Sequence, residues 1–325
     1  MRLDQMNRRD VVALLAGAAA WPLTARANET TGTIVAGKGL GYDPRITPAR
    51  RDIAAKHLAG VIPAERYVEG QAYEIGAAQA PLRDAASPGA TLLTEALKGE
   101  RITIYESGTG GWAWGQLAGD GYVGFLPAGA LRAPGPAATH KVAALRTFVF
   151  PGQSIRLPPL ETLSFGCRLA VTRIEQGFAV TAAGYVPTLH LAPAATMETD
   201  FVAVAERFLG VPYLWGGKSS VGFDCSGLVQ VALAACGIRC PRDTDMQEQA
   251  LGMAVARTAD LELLRRGDLL FWRGHVAIVR DRETVVHANA SRHMAVGLEP
   301  IASAIPRIRA LVGEVTSVRR LTPPA

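Results

Sequence analysis

At 325 residues, with 34 glycines and 20 prolines, the chain is too long for one compact core and reads as two or three domains. Apolar residues make up 49% and charged residues 19%, which excludes a disordered or collagen-like chain. The formal charge of +5 is spread thinly, with 15 basic against 13 acidic residues in 28–197 and 15 against 14 in 198–325, so no basic block offers an electrostatic nucleic-acid footprint.

Residues 1–27 read as a targeting peptide. Arg8 and Arg9 precede an apolar run from Val11 to Trp21, and Ala25-Arg26-Ala27 supplies small residues at a cleavage spacing. The run is too short to cross a ~30 Å hydrocarbon core. The paired arginines resemble a twin-arginine export signal, which implies a periplasmic or secreted protein. The alternative is a mis-started extension, with Met6 as another start, on a cytoplasmic protein. No later segment has the ~18 uninterrupted apolar residues of a membrane helix, so no membrane partner is expected after signal removal.

Two segments of the first half align. Leu82-Arg83, Pro88-Gly89, Gly99-Glu100-Arg101-Ile102, Gly111-Trp112-Ala113 and Gly121-Tyr122-Val123 are echoed by Leu145-Arg146, Pro151-Gly152, Gly166-Cys167-Arg168-Leu169, Gly177-Phe178-Ala179 and Gly184-Tyr185-Val186. Closely spaced strands with glycine punctuation predict small β-barrels. The pattern resembles bacterial SH3-like domains and sets boundaries of 42–132, including a lead-in arm rich in Arg and Pro, and 139–193. The run from Ala133 to Ala138 is a linker by composition. The arm carries no recognisable chemistry.

From Asp200 onward the sequence carries chemistry. Phe201, Val204, Ala205, Phe208 and Leu209 fall at helical spacing, and Gly210 and Pro212 end that helix. After Gly222-Phe223-Asp224-Cys225-Ser226-Gly227, an apolar stripe through Leu228, Val229, Ala232, Leu233 and Cys236 predicts a second helix with Gly237 as its C-cap. Cys225 then sits at a helix N-terminus, where partial positive charge favours thiolate and a nearby imidazolium lowers the thiol pKa further. Cys236 lies on the apolar stripe and reads as a packing residue. Four cysteines are not a disulfide scaffold, Cys236 and Cys240 lack companion ligands, and no metal or other cofactor is expected.

A nucleophilic thiol needs a base. Residues 266–272, 274–279 and 284–289 read as successive strands, and a hairpin centred on Asp281 sets His275 opposite His287 on one sheet face. His275 is the expected base and His287 the group that fixes its ring and tautomer.

Tyr213-Leu214-Trp215-Gly216-Gly217, Asp224-Cys225-Ser226-Gly227, Pro241-Arg242-Asp243-Thr244, Arg266-Gly267-Asp268-Leu269, Gly274-His275-Val276-Ala277-Ile278-Val279 and His287 together resemble the NlpC-type cysteine peptidases of bacterial cell-wall metabolism. That resemblance implies a papain-like domain over 198–325 and cleavage of the γ-D-glutamyl–diamino-acid bond in peptidoglycan stem peptides. Two preceding SH3-like units resemble the dipeptidyl-peptidase subgroup, which acts on stem peptides with a free N-terminal L-Ala. Carried onto this chain, it implies a triad of Cys225, His275 and His287, with Tyr213 beside the thiol. Asp224 would hold the substrate ammonium, with Ser226 also flanking the nucleophile; Arg242 would pair with the D-Glu carboxylate, and Asp243 and Thr244 would line the site. Glu100 and Tyr122 would read the L-Ala amine from the first SH3-like unit.

The expected fold is therefore α+β: two small SH3-like barrels followed by a papain-like domain. Two other functions are compatible with the residues. One is a peptidoglycan-binding protein whose third domain is inactive. The other is an acyltransferase using the same thiol on an amine acceptor.

Overall fold

The protein is described here by a computed structural model covering residues 41–108, 110–256 and 263–321. The targeting peptide expected at 1–27 lies outside the described residues. Among them, no helix is long and apolar enough to cross a membrane.

The first unit is one antiparallel sheet of seven strands: β1 Gln71–Ile75, β2 Gln79–Arg83, β3 Leu92–Leu97, β4 Arg101–Ser107, β5 Trp112–Leu117, β6 Val123–Pro127 and β7 Leu131–Arg132. Their spatial order is β3-β2-β6-β5-β4-β1-β7. Period-two alternation points Ile102 and Ile104 of β4 inward, where they meet Ile75, Leu82, Leu117, Tyr122 and Leu126. The expected closed barrel is not formed by this ladder, since β3 and β7 remain edges. An edge strand exposes unpaired backbone groups unless something covers it. The third unit covers β3, and that contact builds the site.

The second unit, residues 140–193, is three small sheets rather than a barrel: His140–Val142 with Arg168–Leu169 and Leu191–Pro193, Arg146–Val149 with Glu161–Ser164, and Arg173–Glu175 with Phe178–Thr181 and Gly184–Pro187. The sequence repeat reappears as geometry. β6 and the strand Gly184–Pro187 both end in a proline with ψ 125°, and each leads into a single 3-10 turn (Ala128–Ala130; Thr188–His190) and then a short strand. The lead-in arm folds back on the first unit, with Val123 N–H donating to the Arg45 carbonyl at 2.7 Å.

The third unit centres on a six-stranded antiparallel sheet: β8 Met253–Ala256, β9 Asp268–Trp272, β10 His275–Val279, β11 Thr284–Asn289, β12 Ala295–Pro300 and β13 Ser317–Arg320, ordered β8-β13-β9-β10-β11-β12. Helices α1 Phe201–Glu206 and α2 Cys225–Ala235 cover one face, where Val204, Leu228 and Ala232 pack on Phe271, Val276, Ile278 and Val286. Helix α4, Ile301–Val312, covers the other, where Ile301, Ala304 and Ile308 meet Leu270, Trp272, Ala277, Val279 and Val285. Fully burying each Val, Leu, Ile or Phe among them contributes roughly 1.5–3 kcal/mol. The sheet is thus rigid on both sides of the strands that carry the histidines.

Candidate active site

The nucleophile is presented by the start of α2. Asp224 is the N-cap, its Oδ1 accepting from Gly227 N–H at 2.7 Å and from the Ser226 hydroxyl at 3.2 Å. Its Oδ2 accepts from Gly216 N–H at 2.9 Å. Arg242 completes the arrangement with a bidentate pair to the same carboxylate, at 3.0 and 2.7 Å, and donates to Ser226 Oγ at 2.9 Å. Gly227 is required here, because a Cβ would sit 2.1 Å from the Gly217 carbonyl oxygen.

These contacts correct two expectations. Arg242 is only 1% exposed and its guanidinium is used on Asp224, Ser226 and, through Nε, Thr94 Oγ1 of β3 at 2.9 Å. Every Asp224 oxygen is likewise taken by protein donors. Neither side chain is free for a substrate carboxylate or ammonium; together they fasten the nucleophile turn to the first unit. Ser226, buried and bonded to both, belongs to the same framework.

The thiol also departs from expectation. Cys225 is 6% exposed and its pKa is pushed up to about 11, by burial first and by the Asp224 charge second. Hydrogen bonds from Val276 N–H and the Thr244 hydroxyl, and the positive charge of Arg242, pull it the other way and lose. The Sγ–Thr244 Oγ1 separation is 4.0 Å. The resting group at neutral pH is therefore a thiol, and proton removal belongs to the reaction. Among the described residues no hydrogen bond joins Sγ to an imidazole. Val276 N–H places the sulfur at the start of β10, directly after His275.

The histidines come together by a different register from the one expected. Ile278 pairs with Val286 and Val279 with Val285, which centres the turn on Arg282 rather than Asp281. His275 and His287 are thus two positions out of direct opposition but still on one face, and the diagonal is within reach of their rings. His275 Nε2 lies 3.0 Å from His287 Nδ1. Burial, then the proximity of His287, holds the His275 pKa well below the usual imidazole range, and burial lowers that of His287 against the upward pull of Glu299, which favours neutral rings in both.

Near the thiol, Tyr213 is held above its ordinary pKa by burial first and then by the charges of Cys225 and Asp224. Thr244 opens helix α3, Thr244–Ala250, with Asp243 as the preceding residue. Tyr122 donates its hydroxyl to Asp243 Oδ2 at 2.9 Å while its ring packs in the first unit's core. Glu100 does not join them. It pairs with Lys218 Nζ at 3.2 Å and lines a separate cavity of about 430 Å³ with Asp120, Gln230 and Cys240.

Several residues escaped the sequence. Arg45 of the lead-in arm donates to Asp243 at 2.9 Å and to Asp245 at 2.7 and 2.8 Å, so the arm is fastened to the start of helix α3. Thr94 and Glu95 of edge strand β3 bind Arg242 and the Lys218 backbone N–H (2.9 Å each). Glu299 and Arg307 stand behind His287. No local motif marks the first three, since each acts across a domain junction. Among the described residues no group of three or more His, Cys, Asp or Glu is placed to hold a metal.

Residues 210–307 match the NlpC/P60 family, and residues 82–131 match the bacterial dipeptidyl-peptidase Sh3 domain. The chain carries an NlpC/P60 domain preceded by an SH3-type domain. A gamma-D-glutamyl-L-lysine dipeptidyl-peptidase of Bacillus cereus is 30% identical over 214 residues, covering 56% of this chain and 60% of the relative. Dipeptidyl-peptidase 6 of Lysinibacillus sphaericus is 38% identical over 90 residues, 28% of this chain and 32% of the relative. The chain thus spans less than two thirds of the length of these curated relatives. An NlpC/P60 family protein structure from Bacillus cereus superposes with a TM-score of 0.65 at 20% identity, over 78% of this chain and all of that one, and supports the shared fold. The matched NlpC/P60 span contains Cys225, His275 and His287, and the matched SH3-type span contains Thr94, Glu95 and Tyr122.

Proposed function

We propose that the protein is a cysteine peptidase that hydrolyses the γ-D-glutamyl–diamino-acid bond of peptidoglycan stem peptides with a free N-terminal L-Ala, releasing L-Ala-γ-D-Glu. The observation that carries this reading is the thiol at the head of α2 beside the start of β10, with the His275–His287 contact of 3.0 Å on the same strand and its neighbour. Because His275 Nε2 is engaged by His287, Nδ1 is the nitrogen that takes the thiol proton. The sulfur then attacks the γ-carbonyl carbon. The oxyanion is stabilised by the Tyr213 hydroxyl and the backbone N–H of Cys225. Collapse breaks the C–N bond as His275 returns the proton to the leaving amine, and water attacks the thioester with the same imidazole as base.

Asp243 and Tyr122 replace Glu100 and Tyr122 as the acid and tyrosine that read the L-Ala ammonium. Their mutual hydrogen bond beside Thr244 supports that assignment, and so does the matched SH3-type segment. Export through residues 1–27 to the wall compartment belongs to the same proposal.

Incubating wild type and Cys225→Ala with L-Ala-γ-D-Glu-diaminopimelate, and with its N-acetylated form, tests the reading by mass spectrometry. Wild type is expected to release L-Ala-γ-D-Glu from the free-amine peptide alone, and Cys225→Ala to release none. Equal cleavage by the two proteins would overturn the mechanism. Equal cleavage of both peptides would remove the amine requirement.

A further inference from the structure

His275, His287 and Glu299 recur 12 residues apart and form one diagonal row across β10, β11 and β12. On β12, Val285 pairs with Glu299 and His287 with Gly297, so Glu299 is displaced from His287 by two positions, as His287 is from His275. The row ends in a buried carboxylate: Glu299 is fully buried, with Oε2 3.2 Å from His287 Nε2. Arg307 of α4 reaches it through Nε at 2.9 Å and Nη2 at 2.7 Å, and Arg292 through Nη1 at 3.4 Å. Burial pushes this carboxyl up, and the hydrogen bonds from His287 and Arg307 outweigh it and hold it ionised, far below the usual carboxylate range.

We infer that Glu299 is a positioning residue that sets the tautomers of both histidines and so selects which nitrogen of His275 is bare. An ionised carboxylate can only accept, so His287 carries its proton on Nε2 and leaves Nδ1 as an acceptor. His275 must then donate from Nε2, which leaves Nδ1 without a proton and makes it the base. The competing arrangement is visible. Asn289 Nδ2 lies 3.3 Å from His287 Nε2, and its orientation is fixed because Asn289 Oδ1 accepts from Ser291 N–H, Ser291 Oγ and Arg292 N–H. If Asn289 won, the proton would shift to His287 Nδ1 and then to His275 Nδ1, and the base would be lost. A charge-assisted bond to carboxylate is roughly twice as strong as a neutral one, so Glu299 prevails.

This inference rests on the cysteine-peptidase reading only for its kinetic arm. With the same free-amine peptide, Glu299→Gln is expected to lower kcat on the order of 10- to 100-fold, in line with partial loss of general-base catalysis, with KM changed less than twofold. The charged and titratable neighbours of the imidazole row are Arg307 on α4, Arg292 and His293 in the loop before β12, Cys225 at the head of α2, and Glu299 itself. Removing the single negative member moves the acid limb of kcat to lower pH, a shift that a merely structural role would not produce. Cys225→Ala run in parallel separates the outcomes. If Cys225→Ala is inactive while Glu299→Gln keeps the wild-type kcat and acid limb, the Glu299 role is wrong and the peptidase reading stands. If Cys225→Ala remains active, the peptidase reading fails. A second measurement needs neither substrate nor mutation: histidine ¹⁵N NMR of the full wild-type chain at pH 7. Protonation of His287 on Nε2 is expected, and protonation on Nδ1 would overturn the inference.

Discussion

The two repeated β units share a local pattern and differ in what they touch. Gly121-Tyr122-Val123 and Gly184-Tyr185-Val186 occupy matching places before a proline and a 3-10 turn. Tyr122 crosses to Asp243, and Asp120, two residues earlier, accepts from Gln230 of α2 at 2.9 Å. In the second unit the corresponding residues are Tyr185, whose backbone exchanges hydrogen bonds with Phe150, and Ala183, which has no side-chain donor or acceptor. The repeat therefore supplies the same local turn twice on differently built sheets, and among the described residues side-chain hydrogen bonds to α2 and Asp243 come from the first unit, where edge strand β3 is covered by the NlpC/P60 domain. Four tests separate the roles, taken in order of expected effect.

The largest concerns Arg242, which fastens β3 to the nucleophile turn. Arg242→Ala leaves the Asp224 carboxylate buried without its countercharge, and breaking a buried pair in this way costs about 3–5 kcal/mol. Urea unfolding of the variant is expected to show that loss together with loss of turnover. A shift below ~1 kcal/mol would mean that the junction is held elsewhere.

Next comes the paired tyrosine test. Tyr122→Phe removes a hydroxyl bonded to a carboxylate, a contact worth about 1.5–3 kcal/mol, so KM for the free-amine peptide is expected to rise ~10-fold or more. Tyr185→Phe is expected to leave KM and kcat unchanged. Equal responses would dissolve the distinction between the units.

How far the sequence reached follows the same line. The helix at Cys225 and the strand over 284–289 were legible because apolar periodicity and glycine punctuation are local. The hairpin centre was misplaced by one residue, since side-chain parity fixes the face but not the register. Arg242 reads as a substrate ligand in the sequence because an exposed arginine and a buried one look alike in a string. Glu299 repeats the interval between the histidines, yet a lone acid in a short strand ordinarily reads as solvated surface. Arg45 and Thr94 act from other units, where no local pattern points to the thiol.

The thiol gives a pH test. Its folded pKa of about 11 lies above the unfolded value near 9.0, so it stabilises the fold below pH 9 and that contribution is lost as pH rises toward 11. Between pH 8 and pH 10 wild type is expected to lose on the order of 1 kcal/mol that Cys225→Ala does not lose. Parallel slopes of unfolding free energy against pH would show that folding leaves the thiol pKa unshifted, and a gain of wild-type stability relative to Cys225→Ala over this range would show that the sulfur is ionised in the resting protein. The same burial logic puts the acid limb of activity below pH 6.5, because His275 resists protonation.

The smallest effect belongs to the second unit. Among the described residues its side-chain hydrogen bond to the NlpC/P60 domain is Ser220 Oγ to Ser164 Oγ, buried, at 3.0 Å. Removing one hydroxyl would strand the other, whereas removing both replaces a polar pair by two methyl-sized groups at nearly no net cost. The double variant Ser164→Ala/Ser220→Ala is therefore expected to keep its unfolding free energy within ~0.5 kcal/mol of wild type and its kcat/KM for the stem peptide within twofold. A clear fall in kcat/KM at unchanged stability would transfer part of the positioning role to the second unit, and the asymmetry between the repeats would no longer explain which of them touches the chemistry.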